Sequence, residues 1–138
     1  MKLVGRRIMV NSALLNAIAI AVGAAIGANL RYSLSLWAAQ RWGASFPYGT
    51  LIVNVIGSFL IGLVLVLATT RLNLSDLARL LIVTGLLGGF TTFSSLSFET
   101  YSLIVSGSWR VAGIYLASSF GLGMAGVFLG AGVARLLP

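Results

Sequence analysis

The chain has 138 residues, of which 59% are hydrophobic and 8% charged, and its formal net charge is +7. A soluble domain carries about 25% charged residues, so this chain lacks the polar atoms to cover a water-facing surface and reads as an integral membrane protein. Cysteine and histidine are absent, and Asp76 and Glu99 are the only acids. That excludes disulfides, zinc sites, Ser-His-Asp and Cys-His catalysis and paired-carboxylate chemistry. The only lysine is Lys2, so the Gly-Lys-[Ser/Thr] phosphate loop is missing as well. The composition argues against an enzyme and for a transporter, channel or membrane scaffold. The basic residues are scattered near span ends, where they read as topology signals and headgroup anchors rather than as a nucleic-acid patch.

A span needs about 20 mostly apolar residues, and the chain holds four such stretches in a single domain over residues 1–138, an all-α membrane fold. The first runs over about residues 12–30 and stops at Arg31. Its basic front, Lys2, Arg6 and Arg7, imitates a signal peptide, but three further spans follow for it to pack against. The second covers about 48–70, the third about 80–105 with Ser75 or Asp76 at its start, and the fourth about 111–134. Trp37, Trp42, Tyr48 and Trp109 fall near span ends, as an interfacial aromatic belt does. Four spans put both termini on one side, with Lys2, Arg6, Arg7, Arg71, Arg79 and Arg135 against Arg31, Arg41 and Arg110 opposite. This bias favours termini in the cytoplasm; translation from Met9 would level it.

Small and polar residues stripe each span, as helix packing in lipid requires. Gly23, Gly27 and Arg31 share a face of the first, Thr50, Asn54, Gly57, Ser58 and Gly62 of the second, and Tyr115, Ser119, Gly123, Gly126 and Gly130 of the fourth. The Asn54 carboxamide needs partners in lipid and either joins helices or donates to a permeating anion. The third span stands apart. Gly88-Gly89 precedes seven hydroxyl residues between Thr91 and Ser102. Adjacent glycines relax a helix, and lipid tolerates freed backbone groups only where protein or a watery path meets them. We expect a helix broken mid-membrane at an ion-handling site. With Glu99 the only nearby acid, and Asn54, the hydroxyls, Arg31 and the ring edges of Phe90, Phe93 and Phe98 available as donors, the expected ion is a small anion.

Three ordered motifs then carry a resemblance. Gly27-Ala-Asn-Leu-Arg31-Tyr32, Gly49-Thr-Leu-Ile-Val-Asn54-Val-Ile-Gly57 and Gly85-Leu-Leu-Gly-Gly-Phe-Thr-Thr-Phe-Ser94 with Glu99 resemble the Fluc/CrcB fluoride channels over nearly the whole chain. The resemblance implies four-span subunits paired as antiparallel dimers in the cytoplasmic membrane, with two fluoride pores along the interface and a central sodium ion held by backbone carbonyls. Carried over, it implies that Gly88 and Thr91 supply those carbonyls, that Asn54, Phe93, Ser94, Tyr115 and Ser119 line the pore, that Arg31 sits at a vestibule and that Glu99 lies near the pore entrance. One departure is Leu96, where the family shows a second phenylalanine; another is Gly123, where a further polar residue is expected. Leucine has no polarised ring edge. Three outcomes follow: a homodimer that conducts fluoride with an altered lining, a channel completed by a paralogous subunit, or a chain that no longer conducts. We take the first as the expectation, because the other pore elements are present; the charge bias speaks for the second.

Overall fold

The computed structural model describes residues 2–137, with side chains described for 12–137. The side chains of Lys2, Arg6 and Arg7, which entered the charge count, and of Met9, the alternative start, fall outside the described set. The described residues are all helical or loop: α1 is Lys2–Trp42, α2 Tyr48–Thr70, α3 Asp76–Arg79, a π-helical segment Leu80–Leu87, α4 Gly88–Phe90, α5 Phe93–Val105 and α6 Trp109–Leu136. Four stretches are long and apolar enough to cross a membrane: Ser12–Trp42, Tyr48–Thr70, Asp76–Val105 and Trp109–Leu136. The third is composite, made of α3, the π segment, α4 and α5.

The first span does not stop at Arg31. A 31-residue helix from Ser12 is roughly 46 Å long at 1.5 Å per residue, more than the hydrocarbon core of about 30 Å. Arg31 therefore lies within the helix, and its end projects into the interfacial zone. There Trp37 packs edge-on against Trp42 at 5.1 Å, and Trp42 and Phe46 meet Tyr48 at 5.5 and 4.7 Å. Gly43 closes α1 with a φ of 77°, a left-handed conformation that glycine adopts without strain. With Arg31 inside the span, Arg41 in the last turn of α1 and Arg110 in the first turn of α6 are the basic residues left at that side.

Glycine stripes bring the backbones into contact, because lipid provides no hydrophobic drive between helices and close packing must do the work. A Cβ on Gly23 or Gly27 of α1 would overlap Leu81 O or Leu86 O of the π segment, and one on Gly62 or Gly130 would overlap Val127 O or Phe59 O between α2 and α6. The molecule is thus two glycine-sealed pairs, α1 with the π segment and α2 with α6. The third span links the two pairs: its π segment and α4 pack on α1, and α5 leans on α6. Tyr115 and Val53 are fully buried where α2 meets α6.

Candidate functional site

The break in the third span is not at the glycine pair. Gly88 keeps helical angles (φ −65°, ψ −37°), and Gly88–Phe90 is a helical turn. A Cβ on Gly89 would meet Ala24 of α1 at 2.7–2.8 Å, so that glycine serves contact with α1. The chain opens at the next two residues, Thr91 (φ −81°, ψ 159°) and Thr92 (φ −152°, ψ 119°), before α5 resumes at Phe93.

Side chains hold this opening. Asn54 of α2 accepts from Thr92 N at 2.8 Å through Oδ1 and donates from Nδ2 to Thr92 O at 3.0 Å. The carboxamide thus replaces a neighbouring peptide group, satisfying both backbone groups of the extended residue. Asn54 joins helices, and its second Nδ2 hydrogen is not used in that clamp. Three residues on, a Cβ at Gly57 would overlap the Thr91 Cγ2 methyl; glycine there makes the seat for Thr91. Thr92 is the N-cap of α5: its Oγ1 accepts from Ser95 N at 3.2 Å and sits 3.1 Å from Ser95 Oγ and 3.2 Å from Ser94 Oγ. On the other side of the break, Arg31 Nε donates to Gly89 O at 3.1 Å, a cation at the carbonyl end of α4, where the helix dipole favours positive charge. The remaining hydroxyls of the run are self-contained: Ser97, Thr100 and Ser102 bond back to Phe93 O, Leu96 O and Phe98 O.

A recess of about 330 Å³ opens at the break and brings together Asn54, Gly88, Thr91, Phe93 and Leu96 from the expected residues, with Gly57 and Thr92 beside them. Phe93 is 72% exposed at its rim, whereas Leu96 is buried. Ser94 is exposed and reaches the group only through Thr92. Arg31 stands behind the break, on Gly89.

A second cluster gathers Glu99, Tyr115 and Thr50, a residue whose place in the α2 stripe suggested packing alone. Thr50 Oγ1 donates to Glu99 Oε1 at 2.8 Å, and Tyr115 OH donates to Oε2 in a short bond. Both donors are buried, and Phe46 of the α1–α2 loop packs edge-on against the Tyr115 ring at 5.5 Å. Glu99 and Thr50 also line a smaller recess of about 230 Å³ beneath that loop. Each Glu99 carboxylate oxygen therefore accepts from a hydroxyl. Ser119, one turn beyond Tyr115 on the same face of α6, is buried with no partner for its Oγ among the described residues. Phe90, which is buried, and Phe98, which is 68% exposed, do not line the recess. The residues that sequence reasoning missed as functional are Thr50, Gly57 and Thr92. The first two were visible as part of the α2 stripe, and Thr92 carried the N-cap signal of a threonine at a helix start.

Comparison with known proteins bears directly on this arrangement. Residues 18–131 match the family model described as CrcB-like protein, Camphor Resistance (CrcB). The chain belongs to this family. Similar CrcB-family proteins include the fluoride-specific ion channel FluC of Roseiflexus sp. (strain RS-1), 86% identical over 90% of this chain and 100% of the relative. The FluC of Chloroflexus aurantiacus (strain J-10-fl) is 55% identical over 87% of this chain and 95% of the relative. A Rhizobium etli FluC is 48% identical over 90% of this chain and 99% of the relative. These relatives are ion channels rather than enzymes, in line with the exclusions drawn from composition.

Proposed function

We propose that this CrcB-family protein is a passive, fluoride-selective channel of the cytoplasmic membrane that works as an antiparallel homodimer. The observation that carries the reading is the full-length likeness to proteins named fluoride-specific ion channels, at 86% identity for one of them. The site's chemistry supports it. Fluoride is small and strongly hydrated, so a path for it must replace water with several moderate donors. The unused Asn54 hydrogen, the Ser94 hydroxyl, the exposed Phe93 edge and the partnerless Ser119 hydroxyl are donors of that kind. Tyr115 would border the path from Glu99, and Arg31 would lend positive potential to its mouth.

A second copy is supported by the exposed backbone. Gly88 is exposed on the single chain beside the break, and lipid cannot satisfy freed backbone groups there. A second subunit over this face would bury the recess. A sodium ion would suit it: the chain has no histidine or cysteine and only two acids, so neutral carbonyl oxygen is the natural ligand. Gly88 O fits that role, because Thr92 N, which a continuous helix would give to it, is taken by Asn54 Oδ1. When bound, the ion would supply positive charge that pins the two breaks together; Gly88 and Thr91 would hold it.

Leu96 does not point elsewhere. It is 6% exposed and sits in the recess with Asn54, which supports a lining that leucine completes. The loop charges favour the second reading, a channel shared with a paralogous subunit, since a fixed orientation suits oppositely oriented partners. The test is efflux from liposomes holding this chain alone: rapid fluoride and poor chloride release supports the homodimer, and fluoride release only with a second subunit supports the alternative.

A further inference from the structure

Two carbonyls at the break lose their helical donors where Thr91 and Thr92 are extended, and in each case one side chain takes up the released N–H. In a continuous helix Thr92 N would bond Gly88 O and Ser95 N would bond Thr91 O. Asn54 Oδ1 takes the first at 2.8 Å, and Thr92 Oγ1 takes the second at 3.2 Å. Between them, Gly89 O is occupied by Arg31 Nε at 3.1 Å. The two diverted donors are those that would otherwise silence Gly88 O and Thr91 O. Both residues line the recess at the break.

We propose that Thr92 is a positioning residue for a monovalent-cation site: by capping α5 with its hydroxyl, it keeps Thr91 O free to bind the ion, as Asn54 does for Gly88 O. This rests on the reading that a cation is held there. Thr92 itself contributes no ligand, because Thr92 O is engaged by Asn54 Nδ2 and its Oγ1 faces Ser94 and Ser95. Its extended backbone and its hydroxyl act together. Without the hydroxyl, Ser95 N loses its partner, and the extended backbone at Thr91 and Thr92 that separates it from Thr91 O is held by the Asn54 clamp alone. Serine keeps the hydroxyl and the capping role; valine keeps the shape and loses both.

The experiment measures thermal stability of the purified, detergent-solubilised protein as sodium chloride replaces the chloride salt of a bulky organic cation at constant ionic strength. Ion binding to the folded state raises the melting temperature by mass action. The parent is expected to show a saturable sodium-dependent rise, Thr92→Val to need at least about tenfold more sodium for the same rise, and Thr92→Ser to follow the parent. A capping role alone would lower stability equally with and without sodium, so an unchanged sodium midpoint in Thr92→Val overturns the proposal and leaves the cation reading intact. No sodium-dependent rise in the parent overturns both. If Thr92→Val does not fold, Thr92→Ala, which lacks the hydroxyl without the β-branch, takes its place: a raised sodium midpoint supports the proposal and an unchanged one overturns it.

Discussion

Asn54→Asp is the substitution that most sharply separates a structural clamp from a bystander. The ionised side chain still accepts from Thr92 N, bonded at 2.8 Å in the parent, but loses the Nδ2 donation to Thr92 O at 3.0 Å. A hydrogen bond of this kind contributes about 1 kcal/mol net, and leaving its partner unsatisfied costs about 1–3 kcal/mol. Here the unsatisfied carbonyl also faces a carboxylate oxygen, which brings the expected loss to about 2–4 kcal/mol. At 1.4 kcal/mol per tenfold, the population holding the break open as built falls by about one to three orders of magnitude. The negative charge opposes an anion in the same recess, so both effects lower flux. The assay is initial fluoride efflux from proteoliposomes, matched for protein incorporation, with melting temperature measured on the same preparation. Efflux equal to the parent's, or a fall in efflux with no loss of stability, would refute the clamp; the second result would make Asn54 an ion contact only.

Three other outcomes are expected. Leu96→Phe should preserve or raise fluoride efflux, since it adds a polarised ring edge in the recess; a clear loss would mean that the site is shaped around leucine. Gly130→Ala should destabilise the protein by about 1–3 kcal/mol or more, because its Cβ would overlap Phe59 O, a backbone atom that cannot swing aside; thermal denaturation in detergent measures it, and an unchanged melting temperature would contradict the close α2–α6 contact. Tyr115→Phe leaves Glu99 Oε2 without its hydroxyl donor, with an expected cost of about 1–3 kcal/mol and slower efflux, read by the same two assays; no change in either would show that the cluster is dispensable.

The four apolar stretches and the motifs were legible because hydrophobic length and glycine spacing are local properties of the chain. The position of the break was not. Glycine propensity points to Gly88-Gly89, yet that pair stays helical, with Gly89 against Ala24. The chain opens where Asn54, 38 residues away in sequence, competes for the Thr92 peptide and where the Thr92 hydroxyl competes for Ser95 N. Such pairings depend on which helices meet. The same holds for Thr50, whose bond to Glu99 spans 49 positions. Arg31 misled for a different reason. A charge in an apolar run reads as a span end, but here a backbone carbonyl at the end of α4 satisfies it inside the span.

The central claim is passive fluoride conduction by this chain alone, and one measurement tests it most directly. Liposomes carrying the purified protein are loaded with potassium fluoride, and external fluoride is followed with an electrode before and after a potassium ionophore relieves the charge imbalance. Passive conduction predicts little release before the ionophore and rapid release after it, with chloride retained in a parallel preparation. No release after the ionophore, with incorporation verified, would contradict it.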